Sequence, residues 1–217
     1  MSDAEQEAGI VARLRRRGEQ ALAHARELLR SSEWRVDAEE ARTGDRVQSA
    51  HVAGVGRVFL LTAMYDCTAD ELWKILCEDI DKLPKWSSLF SKACHLQTLD
   101  EQTDVMYHET AGRGAGLISP RDWVSLRHWE RRRDSFQSAA VSVDFPLGHD
   151  ILKRKNVRGE TVISLYSVQP DEATARTRLH FLSCCRLGGW LPQSAIERFY
   201  VPSYLDFAAH LRKHVRK

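Results

Sequence analysis

Tyr107–Trp129 reads YHETAGRGAGLISPRDWVSLRHW, a carboxylate, a glycine-rich turn and then a strand carrying an arginine. Side chains alternate across a strand, so Val105, Tyr107 and Glu109 share one face and Met106 and His108 the other. After the turn, Trp123, Ser125, Arg127 and Trp129 fall on one face, with Val124, Leu126 and His128 opposite. A guanidinium between two tryptophans lies either on a wet face or in an apolar interior. In an interior it needs a partner, because an unpaired buried charge is very costly. Glu109 is the nearest acid in sequence with a matching inward phase, which predicts an internal Glu109–Arg127 pair. Two alternatives stand beside that pair: bonds from Arg127 to backbone carbonyls, or a flipped strand that exposes both charges. At the neighbouring Arg121 and Asp122 the expectation is a local ion pair that holds the hairpin.

Outward from this hairpin the chain alternates strands and helices. Residues 4 to about 30 predict a helix, with Ile10, Leu14, Ala21, Ala25, Leu28 and Leu29 near helical spacing. Its Arg13, Arg15, Arg16 and Arg17 are surrounded by Glu5, Glu7, Glu19 and Glu27, which favours a solvated face over a nucleic-acid surface. Strands are predicted at 34–39, 47–51 and 57–65, turned by Gly44-Asp45 and Gly54-Val55-Gly56. Thr68 and Glu71 form a capping box for a second helix with an apolar stripe of Leu72, Ile75, Leu76 and Ile80, which Pro84 is expected to stop. Further strands follow at 93–98, 136–145, 162–168 and 176–185. In the last, Leu179, Phe181 and Ser183 share a face opposite His180, Leu182 and Cys184. The stretch 146–160 is long for a structureless loop, and such loops are more often functional than accidental. Trp190-Leu191-Pro192 opens a final helix, with proline at a favourable first-turn position. Phe199, Leu205 and Phe207 belong to its apolar side, and Pro202 predicts a kink near residues 198–202.

Bulk properties narrow the class. At 217 residues, with no linker composition, the chain reads as one domain. The formal net charge of +2 is too small to imply a polyanion partner. Five cysteines without a CxxC spacing favour free thiols in a reducing compartment. No apolar run reaches membrane-spanning length, and the acidic amino terminus lacks a targeting segment, so a cytoplasmic location is expected. His108-Glu109 has no second histidine for HExxH, there is no GxSxG, and no metal-spaced cluster occurs. The sequence therefore calls for no catalytic residue, no metal and no cofactor.

The run HETAGRGAGLISPRDWVSLR resembles the central hairpin of the START (steroidogenic acute regulatory protein-related lipid transfer) domain, in its cholesterol-binding, steroidogenic-type branch. The resemblance continues through GVGRVFLL at 54–61, Trp86, VDFP at 143–146, GGWLP at 188–192 and LDFAAHLRKHV at 205–215. It implies an α+β helix-grip fold: a curved antiparallel β-sheet wrapped around a long C-terminal helix, here a lid at about 192–214, with an internal apolar cavity. It places Glu109 and Arg127 in that cavity near a sterol hydroxyl, and makes loop 146–160 part of a gate. Gly159-Glu160-Thr161 departs from the family pattern just beyond that loop. Tyr107, Trp123, Ser125, Phe181, Phe199 and Leu205 complete the expected ligand-binding set.

The implied function is non-catalytic transfer of cholesterol or a similar sterol between membranes by a monomer. A sterol-sized ligand burying a few hundred Å2 gains roughly 10 kcal/mol gross, of which ordering costs consume several. A carotenoid or bile acid carrier is an alternative. An acyl-CoA thioesterase is a more distant one, because START proteins of that kind carry an added catalytic domain. Transfer implies transient membrane contact, for which Arg212, Lys213, His214, Arg216 and Lys217 offer a basic helix tip.

Overall fold

The computed structural model describes residues 3–112, 118–148, 151, 156–189 and 193–216. Helix α1 (Asp3–Ser31) is followed by strands β1 (Arg35–Glu39), β2 (Arg46–Val52) and β3 (Gly56–Tyr65). Short helices α2 (Ala69–Trp73) and α3 (Leu83–Trp86) precede β4 (Phe90–Asp100), β5 (Thr103–Thr110), β6 (Arg121–Arg132) and β7 (Ser135–Ser142). Strands β8 (Val157–Arg158), β9 (Glu160–Asp171) and β10 (Arg176–Arg186) lead to the C-terminal helix α4 (Gln193–Val215). The strands form one curved sheet in the order β1-β2-β3-β10-β9-β7-β6-β5-β4, antiparallel along this path, and β8 adds to β6 in parallel.

The two long helices cover opposite faces, and strand alternation decides which residues each meets. Leu22, Ala25 and Leu28 of α1 pack with Val58, Leu60, Leu165 and Leu182 on the outer face. Tyr204, Phe207, Ala208 and Leu211 of α4 pack with Phe59, Leu61, Leu179 and Phe136 on the inner face. The predicted split of β10 holds: Leu179 and Phe181 belong to the inner cluster, Leu182 and Cys184 to the outer one. Where α1 crosses β6 it presents Gly18, and a Cβ there would stand 2.6 Å from that of His128. Only glycine permits so close an approach.

The capping box at Thr68 is formed, with the hydroxyl accepting from Glu71 N–H at 3.2 Å and the Glu71 carboxylate accepting from Thr68 N–H at 2.8 Å. Pro84, however, does not stop this helix. The chain passes from α2 into a π-helical turn (Lys74–Glu78), breaks at Asp79 and restarts through Ile80–Lys82 into α3. Pro84 sits in the first turn of α3, where its missing N–H is not needed. These bends carry Leu76, Cys77, Ile80 and Leu83 over the inner face.

Two cations of the expected basic tip have acidic partners. Arg212 is buried, donates to both Asp45 oxygens at 2.5 and 2.7 Å, and lies over the Tyr65 ring. Arg216 reaches Asp66 at 3.3 Å. They tie the end of α4 to β2 and β3, so the freely charged tip shrinks accordingly. Helix α4 runs on through Pro202.

Candidate ligand chamber

Two cavities lie on the inner sheet face, an outer one of about 210 Å3 beneath α4 and an inner one of about 100 Å3 beneath Leu76, Ile80 and Leu83 of the α2–α3 segment. Phe90, His108, Phe181 and Cys185 line both, so these residues form the waist of one chamber. The outer compartment is closed from α4 by Phe199, Tyr200, Tyr204 and Phe207. The inner one ends on Arg127, with the hydroxyls of Ser125, Ser138, Thr161, Ser164 and Ser183 around it.

The Glu109–Arg127 pair is not formed. Strands β5 and β6 pair Asp104 with Arg127 and Glu109 with Asp122. Even-numbered residues of β5 therefore share a face with odd-numbered residues of β6. Glu109 and Tyr107 point away from the chamber, while Asp104, Met106 and His108 point in beside Trp123, Ser125 and Arg127. Arg127 donates from Nε and Nη2 to Asp104 at 3.0 and 2.6 Å, and from Nη1 to the Cys77 carbonyl at 2.7 Å. That carbonyl lies in the last turn of a helix, where no intrahelical donor is available. His95 adds a contact to Asp104 at 3.0 Å. Burial works against the Arg127 charge, but the Asp104 bond and charge outweigh it and its pKa is raised. The expected backbone-carbonyl alternative is thus realised together with a pair to a different acid.

On the outer face, Glu109 accepts from Ser91 Oγ at 2.7 Å, and the Tyr107 hydroxyl lies 3.2 Å from both Glu109 and Asp122. The local Arg121–Asp122 pair fails for the same geometric reason, since adjacent strand residues face opposite ways. Asp122 binds Arg158 at 2.5 Å, and Arg121 turns inward. Of the other expected ligand residues, Trp123, Phe181 and Phe199 line the outer compartment and Ser125 the inner one. Leu205 packs into the inner-face core without lining either compartment. Asp104 was the residue that sequence reasoning missed. Its phase with Met106 and His108 was visible, but their inward direction was not.

Within loop 146–160, residues 149–150 and 152–155 lie outside the described residues. Leu147 and Ile151 pack against Val105, Tyr107, Val124 and Leu126 on the outer face. None of the loop's described residues lines the chamber up to Gly159, whose backbone presses on the Trp123 ring. The gate expected from 146–160 is therefore not built from these described residues.

His108 stacks on Trp123, with centroids 5.1 Å apart, and meets the edge of Phe90. Its Nδ1 is buried without a hydrogen-bond partner among the described residues, and burial lowers its pKa from 6.5 to about 4. The folded state then holds fewer protons than the unfolded chain between these values. The contribution to stability is complete above pH 6.5 and is lost as pH falls through 4, in total about 3 kcal/mol. His128 and His180, also lowered by burial, act in the same direction. His108→Gln should accordingly flatten the fall in melting temperature between neutral pH and pH 4, and an unchanged slope would show that His108 does not govern it.

A curved antiparallel sheet gripping a long C-terminal helix is a helix-grip fold. The START domain family model matches residues 17–217, so the chain belongs to the START family. It is 32% identical to the mitochondrial steroidogenic acute regulatory protein of Equus caballus over 204 residues, covering 91% of this chain and 69% of that protein. The Homo sapiens counterpart is 31% identical over 203 residues, with the same coverage. Human StAR-related lipid transfer protein 5 superposes with a TM-score of 0.83 at 24% identity, over 94% of this chain and 97% of that one. The relationship places the chain in the steroidogenic-type branch of the family.

Proposed function

We propose that the chain is a non-catalytic carrier that takes cholesterol or a similar sterol into this chamber and moves it between membranes. The observation that carries the reading is an apolar enclosure whose inner end holds a guanidinium already satisfied by Asp104 and Cys77. Such an end can orient one ligand hydroxyl without leaving a bare charge when empty. The two compartments together stand at the lower end of the roughly 300–1,000 Å3 typical of small-molecule sites. The five free cysteines support a reducing, cytoplasmic setting. Transfer requires transient contact with a bilayer, measurable as sterol exchange between liposomes.

Ser125 supplies the direct test, because its hydroxyl lines the inner compartment and bonds Thr161 at 3.3 Å. Ser125→Ala removes one hydrogen bond worth about 1 kcal/mol. It should weaken binding of cholesterol about fivefold and leave its hydroxyl-free hydrocarbon analogue unchanged. Equal losses for the two would refute hydroxyl recognition at this end. Failure of the wild-type protein to bind either, with no lipid found by mass spectrometry of the purified protein, would refute the carrier reading itself.

A further inference from the structure

The inner compartment holds more polar groups than one sterol hydroxyl can engage. Arg127 is satisfied by Asp104 and Cys77, while Ser125 bonds Thr161 at 3.3 Å and Ser183 bonds Cys185 at 3.2 Å. The side-chain oxygens of Ser164 and Tyr166 line the same compartment without a hydrogen-bond partner among the described residues. His108 stands at the waist in the same condition, its ring stacked on Trp123 and its Nδ1 buried and unpaired among the described residues. Beyond the waist, Phe181, Phe199 and Phe207 wall the outer compartment. The charge that borders it, Arg121, is held by the Ser119 and Leu187 carbonyls. Polarity thus falls along the chamber, from hydroxyls through one imidazole to a mainly apolar wall.

We infer that the chamber accepts a monoacylglycerol, with its free hydroxyls in the inner compartment, its ester carbonyl against His108 and its single chain in the outer compartment. The inference rests on the carrier reading and adds a ligand class to it. A sterol ends in one hydroxyl, which offers one donor and two acceptor sites. It engages part of the inner lining and lays hydrocarbon against His108, so the buried imidazole stays unpaired at a cost. A glycerol monoester is built in the order that the chamber presents: a diol, an ester, a chain. Its second hydroxyl doubles the donors and acceptors available to Ser164 and Tyr166. Burial keeps the His108 ring neutral at physiological pH. A neutral imidazole carries one N–H and one acceptor nitrogen, so the tautomer protonated at Nδ1 can donate to an ester carbonyl. The space limits the rest of the molecule. About 210 Å3 walled by phenylalanines suits one acyl chain rather than the two of a phospholipid.

The alternative occupant of the inner compartment is ordered water, for which about 100 Å3 leaves room for several molecules. The two are separated by loading the intact protein from phosphatidylcholine vesicles that carry monooleoylglycerol, methyl oleate or oleyl glyceryl ether. Bound lipid is quantified by mass spectrometry relative to vesicle content. Methyl oleate keeps the chain and ester without the diol, and the ether keeps the diol without the carbonyl. Monooleoylglycerol should bind at least about tenfold more tightly than methyl oleate, as two hydroxyl hydrogen bonds imply. It should bind about fivefold more tightly than the ether, as one carbonyl bond implies. His108→Phe retains an aromatic ring for the stack and should bring the ester-to-ether ratio close to one. Tyr166→Phe should reduce the preference over methyl oleate about fivefold. If His108→Phe does not fold, the wild-type ratios and Tyr166→Phe decide. Equal binding of monooleoylglycerol and methyl oleate, with cholesterol still bound, overturns the inference in favour of a hydrated end and leaves the carrier reading intact. A wild-type ester-to-ether ratio of one, or a preference that survives His108→Phe, overturns it as well. Failure to bind any of these lipids or cholesterol refutes the carrier reading instead.

Discussion

Asp104→Asn is expected to destabilise the protein by about 3–5 kcal/mol, the usual cost of removing one partner from a buried ion pair. The substitution keeps the shape of the side chain and removes its charge. Arg127 would then retain the Cys77 carbonyl but face a neutral amide inside the sheet. Against a total stability of about 5–15 kcal/mol for a domain, the loss is large. It should appear as a lower urea midpoint with an unchanged slope. Glu109→Gln is the control, because that carboxylate lies on the other sheet face. It should cost about 1 kcal/mol, the scale of a single hydrogen bond. Equal effects at the two positions would contradict the pairing described above. Replacing both members together, Asp104→Leu with Arg127→Met, should recover much of the loss, since a well-packed apolar pair often matches a buried ionic one.

Phe207→Ala is the second large effect, about 3–5 kcal/mol for truncating a buried aromatic. Phe207 is 1% exposed and meets Trp86, Tyr166 and Phe181 with ring centroids 5.3–6.4 Å apart. Because it lies on α4 against the outer compartment, the space left behind joins the chamber. In a chain of this length the melting temperature should fall by about 10 °C. Saturating sterol should then restore part of the loss, up to about 2.7 kcal/mol at a hundredfold excess over Kd. A variant destabilised as expected but indifferent to sterol would argue against the chamber as the ligand site. Leu205→Ala, half-buried and outside the lining, should cost less and leave sterol affinity unchanged.

Asp104 and Glu109 also mark the boundary between local and tertiary information. Helix starts, turns and the two-residue alternation depend on neighbours along the chain, so Thr68, the glycine turns and the opposed faces of β10 could be read directly. The END of α2 could not, because Pro84 is compatible both with stopping a helix and with beginning one. The family pattern, spread over nearly the whole chain, carried the helix-grip architecture. Which acid meets Arg127 required more. Period two divides β5 into two faces, but it does not say which face turns inward. That choice depends on the register across a glycine-rich turn, and a shift of one residue exchanges the faces. The observed register puts Asp104 opposite Arg127 and sends Glu109 to the outer sheet face. The same register turns Arg121 inward and Asp122 outward. Local sequence thus specified the elements and their alternation, whereas strand pairing across the sheet selected the partner of each buried charge, because only that pairing brings distant side chains onto one face.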